Sequence, residues 1–140
     1  MKRGDNLREN DLQLIREYGI SRHRYRELKE FCLQYYEKTS ELKEIYALSS
    51  VSPDSAFNSG VPGKPTENKA MRANQLSRDI ETIDKALALA CGNDVGLIEQ
   101  LKRNVTLGIG YDSLGYVPCA ARVFYKCRRK FFFLLDKEKK

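Results

Sequence analysis

Basic and aromatic side chains alternate in the last 22 residues of the chain, CAARVFYKCRRKFFFLLDKEKK (119–140). This segment holds eight Lys or Arg and two acidic residues, so it carries the whole net charge of +6. The first 118 residues hold 17 basic and 17 acidic residues and sum to zero. Guanidinium and ammonium groups bind phosphate, and a localised basic segment on a neutral body is typical of a nucleic-acid-binding surface.

The spacing within this segment predicts a helix over 119–135 with two different faces. Its apolar stripe consists of Phe124, Cys127, Phe131 and Leu134 or Leu135. The other face is expected to carry Arg122, Tyr125, Lys126, Arg129 and Lys130. One stripe would pack on the protein while the other enters the major groove of DNA.

The position of each cation along this helix indicates its role. Residues near the N-terminus of a recognition helix contact base edges, which makes Arg122, Tyr125 and Lys126 the candidates for base contacts. The later cations are predicted to contact phosphate: Arg128, Arg129 and Lys130. The alternative is a solvated helix whose Lys and Arg complement the C-terminal end of the helix dipole.

A second basic patch lies in SRHRYRELK and consists of Arg22, Arg24, Arg26 and Lys29, with His23 among them. Cations at a helix N-terminus oppose the dipole, so helix stability does not explain them. They are candidates for binding phosphate or an acidic protein. The alternative is pairing with nearby acids such as Glu27 and Glu30, with His23 as a solvated side chain.

The rest of the chain predicts an all-α fold. We expect long helices in the N-terminal part and a C-terminal trihelical unit similar to a helix-turn-helix. The chain is predicted to form a single domain, with an N-terminal helical region over 1–48, a Pro/Gly/Ser-rich loop or hinge over 49–65, and a second helical region over 66–140. The predicted elements are helices over 6–18, 21–48 (one helix or two), 66–90, 94–106 and 119–135, a short turn over 111–114, and a corner over 116–118.

Caps and inward-facing positions follow from the same patterns. Ser21 is a good N-cap, Gly92 is expected to end the helix over 66–90, and Asn93 or Asp94 is expected to cap the helix over 94–106. The expected inner faces are Met71, Leu76, Ile80, Ile83 and Leu87 in 66–90, continued by Cys91 directly after it, and Val95, Ile98, Leu101 and Val105 in 94–106.

Several classes of function find no support in the sequence. The nucleotide-binding and zinc-protease motifs are missing, and GVPGKP over 60–65 places a proline where a phosphate loop needs an N–H donor. The four cysteines are dispersed and there is one histidine, so we expect no metal, no cofactor and no catalysis. With no apolar run of about 18 residues, we expect no membrane partner and a cytoplasmic protein with reduced thiols.

Three stretches together resemble a known family: YRELKEFCLQY, ANQLSRDIETIDKAL and GYDSLGYVPCAARVFYKCRRKFFFLLD. Over roughly residues 25–136 the chain is similar to late-gene transcription activators of the RinA and ArpU type, encoded by phages and prophages of Gram-positive bacteria. The resemblance implies a C-terminal helix-turn-helix similar to that of sigma factors, with Arg122, Tyr125, Arg128 and Arg129 in the recognition helix. The second helix departs from that pattern, because it is only about four residues long.

The sequence therefore predicts a protein of a phage or prophage that binds duplex DNA through 119–135 and regulates transcription in the bacterial host cell. RNA polymerase and further copies of the chain are additional candidate partners. Two alternatives remain open. One is a DNA-packaging protein of the small-terminase kind, and the other is an adaptor that contacts polymerase or an acidic host protein through the same helix.

Overall fold

The computed structural model describes the backbone of residues 9–50 and 63–139 and the side chains of residues 11–48 and 67–139. Within these ranges the secondary structure is entirely helical, so the predicted all-α class is confirmed. The elements are α1 (Glu9–Tyr18), α2 (Arg22–Leu33), α3 (Tyr35–Ser50), α4 (Gly63–Ala90), α5 (Val95–Leu107), a 3-10 turn (Tyr111–Ser113) and α6 (Ala121–Glu138).

The helix ends follow local signals in the sequence. Gly19 ends α1 with a left-handed φ of 67°, which a residue without a Cβ adopts at little cost. The hydroxyl of Ser21 accepts a hydrogen bond from the backbone N–H of Arg24 at 3.1 Å, as predicted for the N-cap of α2. At the N-terminus of α5 the cap is Asp94, whose Oδ1 accepts from the N–H of Leu97 at 3.2 Å.

Removal of the α5 cap is expected to destabilise the protein measurably. Asp94→Ala leaves an N–H of the first turn without its side-chain acceptor, which costs about 1 kcal/mol. Urea denaturation of the variant and of Glu99→Ala, an exposed change on the same helix, measures the difference. Equal midpoints for the two variants would show that the cap contributes nothing.

Some element boundaries differ from the prediction. α4 begins at Gly63, three positions before the expected start, and so includes Pro65 in its first turn. Proline is tolerated there because its missing N–H would have no partner within the helix. The predicted stretch over 21–48 forms two helices separated at Gln34. The central part of the expected loop, 51–62, lies outside the described residues.

The helices α1, α2, α5 and α6 and the end of α4 from Thr82 form one compact unit. Within it α6 packs against α1, α2 and α5, and α2 also packs against α5. Its core is apolar and includes Leu28, Ile83, Leu87, Leu101 and Phe131, all fully buried. This unit contains α6 and the corner that precedes it, which carry most of the predicted site.

A second unit comprises residues 34–81, that is α3 and the first part of α4. Two ion pairs join its helices: Lys38 Nζ lies 3.0 Å from Asp79 Oδ2, and Arg72 Nε lies 2.8 Å from Glu41 Oε2. This grouping differs from the sequence division at 49–65, since α1 and α2 belong with the C-terminal helices and α3 does not.

Two expected core residues are exposed. Met71 is 67% exposed and Val95 is 76% exposed. Both miss the buried stripe of their own helix. Met71 lies two residues from buried Ala73 and Val95 two residues from buried Leu97, a step of about 200° around an α-helix. The predicted inner faces are correct for Leu76, Ile83, Leu87, Cys91, Leu101 and Val105, which are all buried.

Candidate nucleic-acid interface

Aromatic packing fixes α6 on the body of the protein. Phe124, Phe131, Phe132 and Leu135 are fully buried on one side of the helix. The ring of Phe132 meets that of Tyr25 edge-on at 5.2 Å. Phe133 stacks on Tyr18 of α1 with ring centroids 4.6 Å apart. The phenylalanine run thus packs against the N-terminal helices, and it holds α6 in one rotational orientation.

Side chains of α5 and of the 3-10 turn hold the connection that leads into α6. Arg103 Nη1 donates to the carbonyl of Leu114 at 3.0 Å, and Asn104 Nδ2 donates to the carbonyl of Ile109 at 2.9 Å. The hydroxyl of Tyr111 donates to the carbonyl of Cys119 at 3.0 Å. The predicted order of helix, short turn and helix is present, but the middle element is a single 3-10 turn.

Three cations form a line along the outer face of α6. Arg122, Lys126 and Lys130 are all exposed and lie four residues apart, so they cover about 12 Å of helix length. We call these three residues the basic ridge. None of the three forms an ion pair with any residue that the structure describes. Their mutual repulsion is therefore not relieved within this part of the protein.

The N-terminal end of α6 is also open to solvent. Residues 120–123 are exposed, and Ala120 at the N-cap provides no side-chain hydrogen bond. The first turn contains no acidic residue. Its backbone N–H groups and the positive end of the helix dipole are thus available to an anion next to Arg122.

The expected phosphate contact of Arg128 is not supported, because its side chain lies inside the protein with 13% of its area exposed. Nε donates to Asn104 Oδ1 at 2.7 Å, and Nη1 donates to Asp11 Oδ1 and to the hydroxyl of Tyr25, each at 3.0 Å. Tyr25 in turn donates to the same Asp11 oxygen. The guanidinium therefore links α1, α2 and α5 to α6.

The buried position of Tyr25 keeps its phenol protonated. Burial is the main cause that raises the pKa of the Tyr25 phenol, and the charge of Arg128 opposes it. Burial lowers the pKa of Arg128, but its interactions with Tyr25 and Asp11 outweigh this effect and leave the pKa above its usual value. The neutral phenol of Tyr25 thus lies beside the ion pair of Arg128 and Asp11, and the three side chains together have a structural role.

The predicted outward position of Arg129 is wrong. This residue is only 9% exposed, and its Nε lies 3.2 Å from Glu17 Oε1 of α1. Tyr125 is partly exposed and meets Phe124 edge-on at 5.4 Å. Of the six predicted contacts on α6, the three of the basic ridge are thus fully open to a partner and Tyr125 is open in part.

The second basic patch divides in the same way. Arg22, His23 and Arg26 are exposed. Arg24 pairs instead with Asp136 of α6 at 2.6 Å, and also with Glu27 at 3.2 Å. The ammonium of Lys29 lies 5.1 Å from the centre of the Tyr25 ring. Part of this patch therefore stabilises the contact between α2 and α6.

Residues that the sequence interpretation missed include the internal partners of Arg128, namely Asp11, Tyr25 and Asn104. A signal for the burial of Arg128 was present in its spacing. It lies four residues after Phe124, and three and four residues before Phe131 and Phe132, so it belongs to the apolar stripe. The identity of its partners is encoded in helices distant along the chain.

Cys91 is buried directly after the end of α4, and burial raises the pKa of its thiol to about 12. Among the described residues no group of His, Cys, Asp and Glu has the arrangement of a metal site. Cys91 lies within electrostatic range of Cys127 and Cys119, whose thiols also have raised pKa values, mainly because of burial.

Alkaline conditions are expected to destabilise the protein through Cys91. Because the folded pKa is raised, the unfolded thiol ionises near pH 9 while the folded one keeps its proton. Stability therefore falls as the pH rises from about 9 to 12, by up to about 1.4 kcal/mol per pH unit for one thiol. Urea denaturation at several pH values between 8 and 10 should show that the free energy of unfolding falls less steeply with pH for Cys91→Ala than for the wild type. If the free energy of unfolding fell equally steeply with pH in both proteins, Cys91 would not be the cause of the loss of stability.

None of the helices in the described ranges is long and apolar enough to cross a bilayer. No family model, curated protein or solved structure matches this chain. The resemblance to the RinA and ArpU type of activator therefore remains a prediction from the sequence.

Proposed function

We propose that this protein binds duplex DNA through the outer face of α6. The observation that carries the proposal is the basic ridge, in which Arg122, Lys126 and Lys130 are exposed and make no ion pair with described residues. The neighbouring Arg128 and Arg129 are paired with acids of α1. A row of cations without ion-pair partners favours the binding of a polyanion. Attraction to the phosphates then outweighs the repulsion between the cations, and binding releases the counterions of the nucleic acid.

The position of the ridge assigns different roles to its members. Arg122 lies in the exposed first turn, where a helix that enters the major groove contacts base edges. Lys126 and Lys130 lie one and two turns further along, where contacts with phosphate fix the position of the helix. The exposed Arg22 and Arg26 of α2 are candidates for additional phosphate contacts.

We infer from the resemblance that the biological role is transcriptional regulation by a phage or prophage protein in the cytoplasm of a bacterial host. The helix-turn-helix in this proposal is a reduced one, because a 3-10 turn stands where the second helix would be. RNA polymerase and a second copy of the chain are proposed as further partners. Small-terminase-like packaging and an adaptor role remain the alternatives.

Fluorescence anisotropy of a labelled random-sequence duplex tests the proposal. We expect binding at about 50 mM salt and a steep loss of affinity by about 200 mM, since each phosphate contact contributes about 0.9 to the slope of log K against log salt. No binding at the lower salt, or binding without a salt slope, would refute DNA binding. Light scattering measures the oligomeric state, and a large closed ring would favour the packaging protein over the regulator. Capture of polymerase by a protein without DNA affinity would favour the adaptor.

A further inference from the structure

A cleft of about 310 Å³ opens on the side of α6 away from the basic ridge. Arg128 and Phe132, one turn apart on α6, form part of its wall, together with Lys29 of α2 and Val105 of α5. Arg128 lies two residues from both Lys126 and Lys130, which is about 200° around the helix. A ligand in the cleft would therefore leave the basic ridge uncovered, although Tyr125, a predicted base contact, also lines the cleft.

The guanidinium of Arg128 retains donors for a ligand. Its Nε and Nη1 are used by Asn104, Asp11 and Tyr25. Nη2 makes no hydrogen bond with the described residues. Among those residues, every side-chain nitrogen or oxygen that is inaccessible to solvent has a hydrogen-bond partner. Nη2 is therefore in contact with solvent. Since Arg128 lines the cleft, the two N–H groups of Nη2 can reach an acceptor there.

The charges that line the cleft favour an anion. Lys29 and Arg128 contribute two positive charges and Asp11 contributes one negative charge, which leaves one positive charge in excess. The Oδ1 atom of Asp11 already accepts hydrogen bonds from Tyr25 and Arg128. A cation would meet this excess charge unfavourably, whereas an anion would compensate it.

Part of the remaining wall is apolar, and the volume of the cleft is small. Leu33, which is 43% exposed, and the partly exposed Tyr125 present apolar surface, and the volume lies at the lower limit of typical ligand pockets, about 300 Å³. A few convergent polar groups on an apolar wall are the usual composition of a site for a small organic molecule. Bare inorganic ions would leave the apolar wall without a contact.

We propose that this cleft binds a small organic anion. Its negative group lies between Lys29 and Nη2 of Arg128, and its apolar body lies against Leu33 and Tyr125. Carboxylates and phosphate esters share the required chemistry. The proposal does not depend on DNA binding, and its test is carried out without DNA.

Benzoate, phenylphosphate and the neutral benzyl alcohol are the probes, each at about 10 mM with the full-length protein at constant ionic strength. We expect benzoate or phenylphosphate to raise the melting temperature by several degrees, as a ligand present at about ten times its dissociation constant does. The amide signals of Gly108 and Gly110, which line the cleft, should shift during an NMR titration, and that of Gly92 should not. The relative response to the two anions distinguishes a carboxylate site from a phosphate-ester site.

Two variants locate the effect. Gly110 has an ordinary φ of −67°, and a Cβ built there meets nothing within 4 Å, so Gly110→Leu is expected to fill the cleft without backbone strain. Lys29→Gln removes one cation. Both should abolish most of the anion-dependent shift, while the controls Gly96→Ala and Lys43→Gln should retain it.

Three results would overturn the proposal. The first is that neither anion changes the melting temperature or the glycine signals. The second is that benzyl alcohol acts as strongly as benzoate, which would exclude recognition of the charge. The third is that Gly110→Leu and Lys29→Gln fold and respond as the wild type does, which would place the binding elsewhere.

Discussion

Arg128→Met is expected to lower the free energy of unfolding by about 3 kcal/mol. The substitution keeps an unbranched side chain beside Phe132, whose ring centre lies 5.0 Å from the guanidinium carbon. It leaves the Asp11 carboxylate without its cation and Asn104 Oδ1 without its donor. Removal of one partner from a buried ion pair costs about 3–5 kcal/mol, because the other charge stays desolvated.

Urea denaturation measures this loss, and Lys130→Met is the matched control. Lys130 is exposed on the same helix, so its substitution should change stability by no more than about 0.5 kcal/mol. Adding Asp11→Asn to Arg128→Met should recover part of the loss, since the unpaired charge is then removed. If Arg128→Met were as stable as the control and bound DNA more weakly, the phosphate role expected from the sequence would be correct.

Reversal of two ridge charges, Lys126→Glu with Lys130→Glu, is expected to weaken binding to a random duplex by at least about tenfold. Two phosphate contacts are replaced by repulsion, so the salt slope should also fall by about 2. The fold should be retained, because both side chains are exposed and make no ion pair with described residues. Anisotropy titrations at several salt concentrations measure both quantities.

The control for this prediction has the same change in net charge at another place. Lys43 and Lys69 are exposed residues of the unit formed by 34–81, and Lys43→Glu with Lys69→Glu should leave most of the affinity. If the two double variants lost affinity equally, the overall charge would explain the binding and the ridge would have no special role. Arg122→Ala should instead alter base preference, by about 1–3 kcal/mol at one base pair.

Much of the fold followed from local signals. Gly19, Ser21 and Asp94 mark helix ends because their own backbone or side-chain chemistry determines the cap, and neighbouring elements are not needed. The apolar stripe of α6 was found because Phe124 and Phe131 are spaced for one face of a helix. Met71 and Val95 were placed wrongly because a helix with several apolar residues offers more than one stripe to choose from.

The candidate site was predicted only in part. The sequence located the charge in α6 and assigned base or phosphate contacts by position along the helix, but it did not separate exposed cations from buried ones. The tertiary structure divided them, with Arg122, Lys126 and Lys130 on the surface and Arg128 and Arg129 paired internally. Asp11 and Arg128 are 117 positions apart, so no local pattern could have joined them.

By itself, the sequence determined that the protein is helical, where most helices end and that the net charge lies in the last 22 residues. These properties depend on backbone propensity, capping and composition, which act over a few residues. Only the tertiary structure decided which cations can meet a partner. That outcome depends on the rotation of α6 about its axis, which its packing against α1, α2 and α5 fixes.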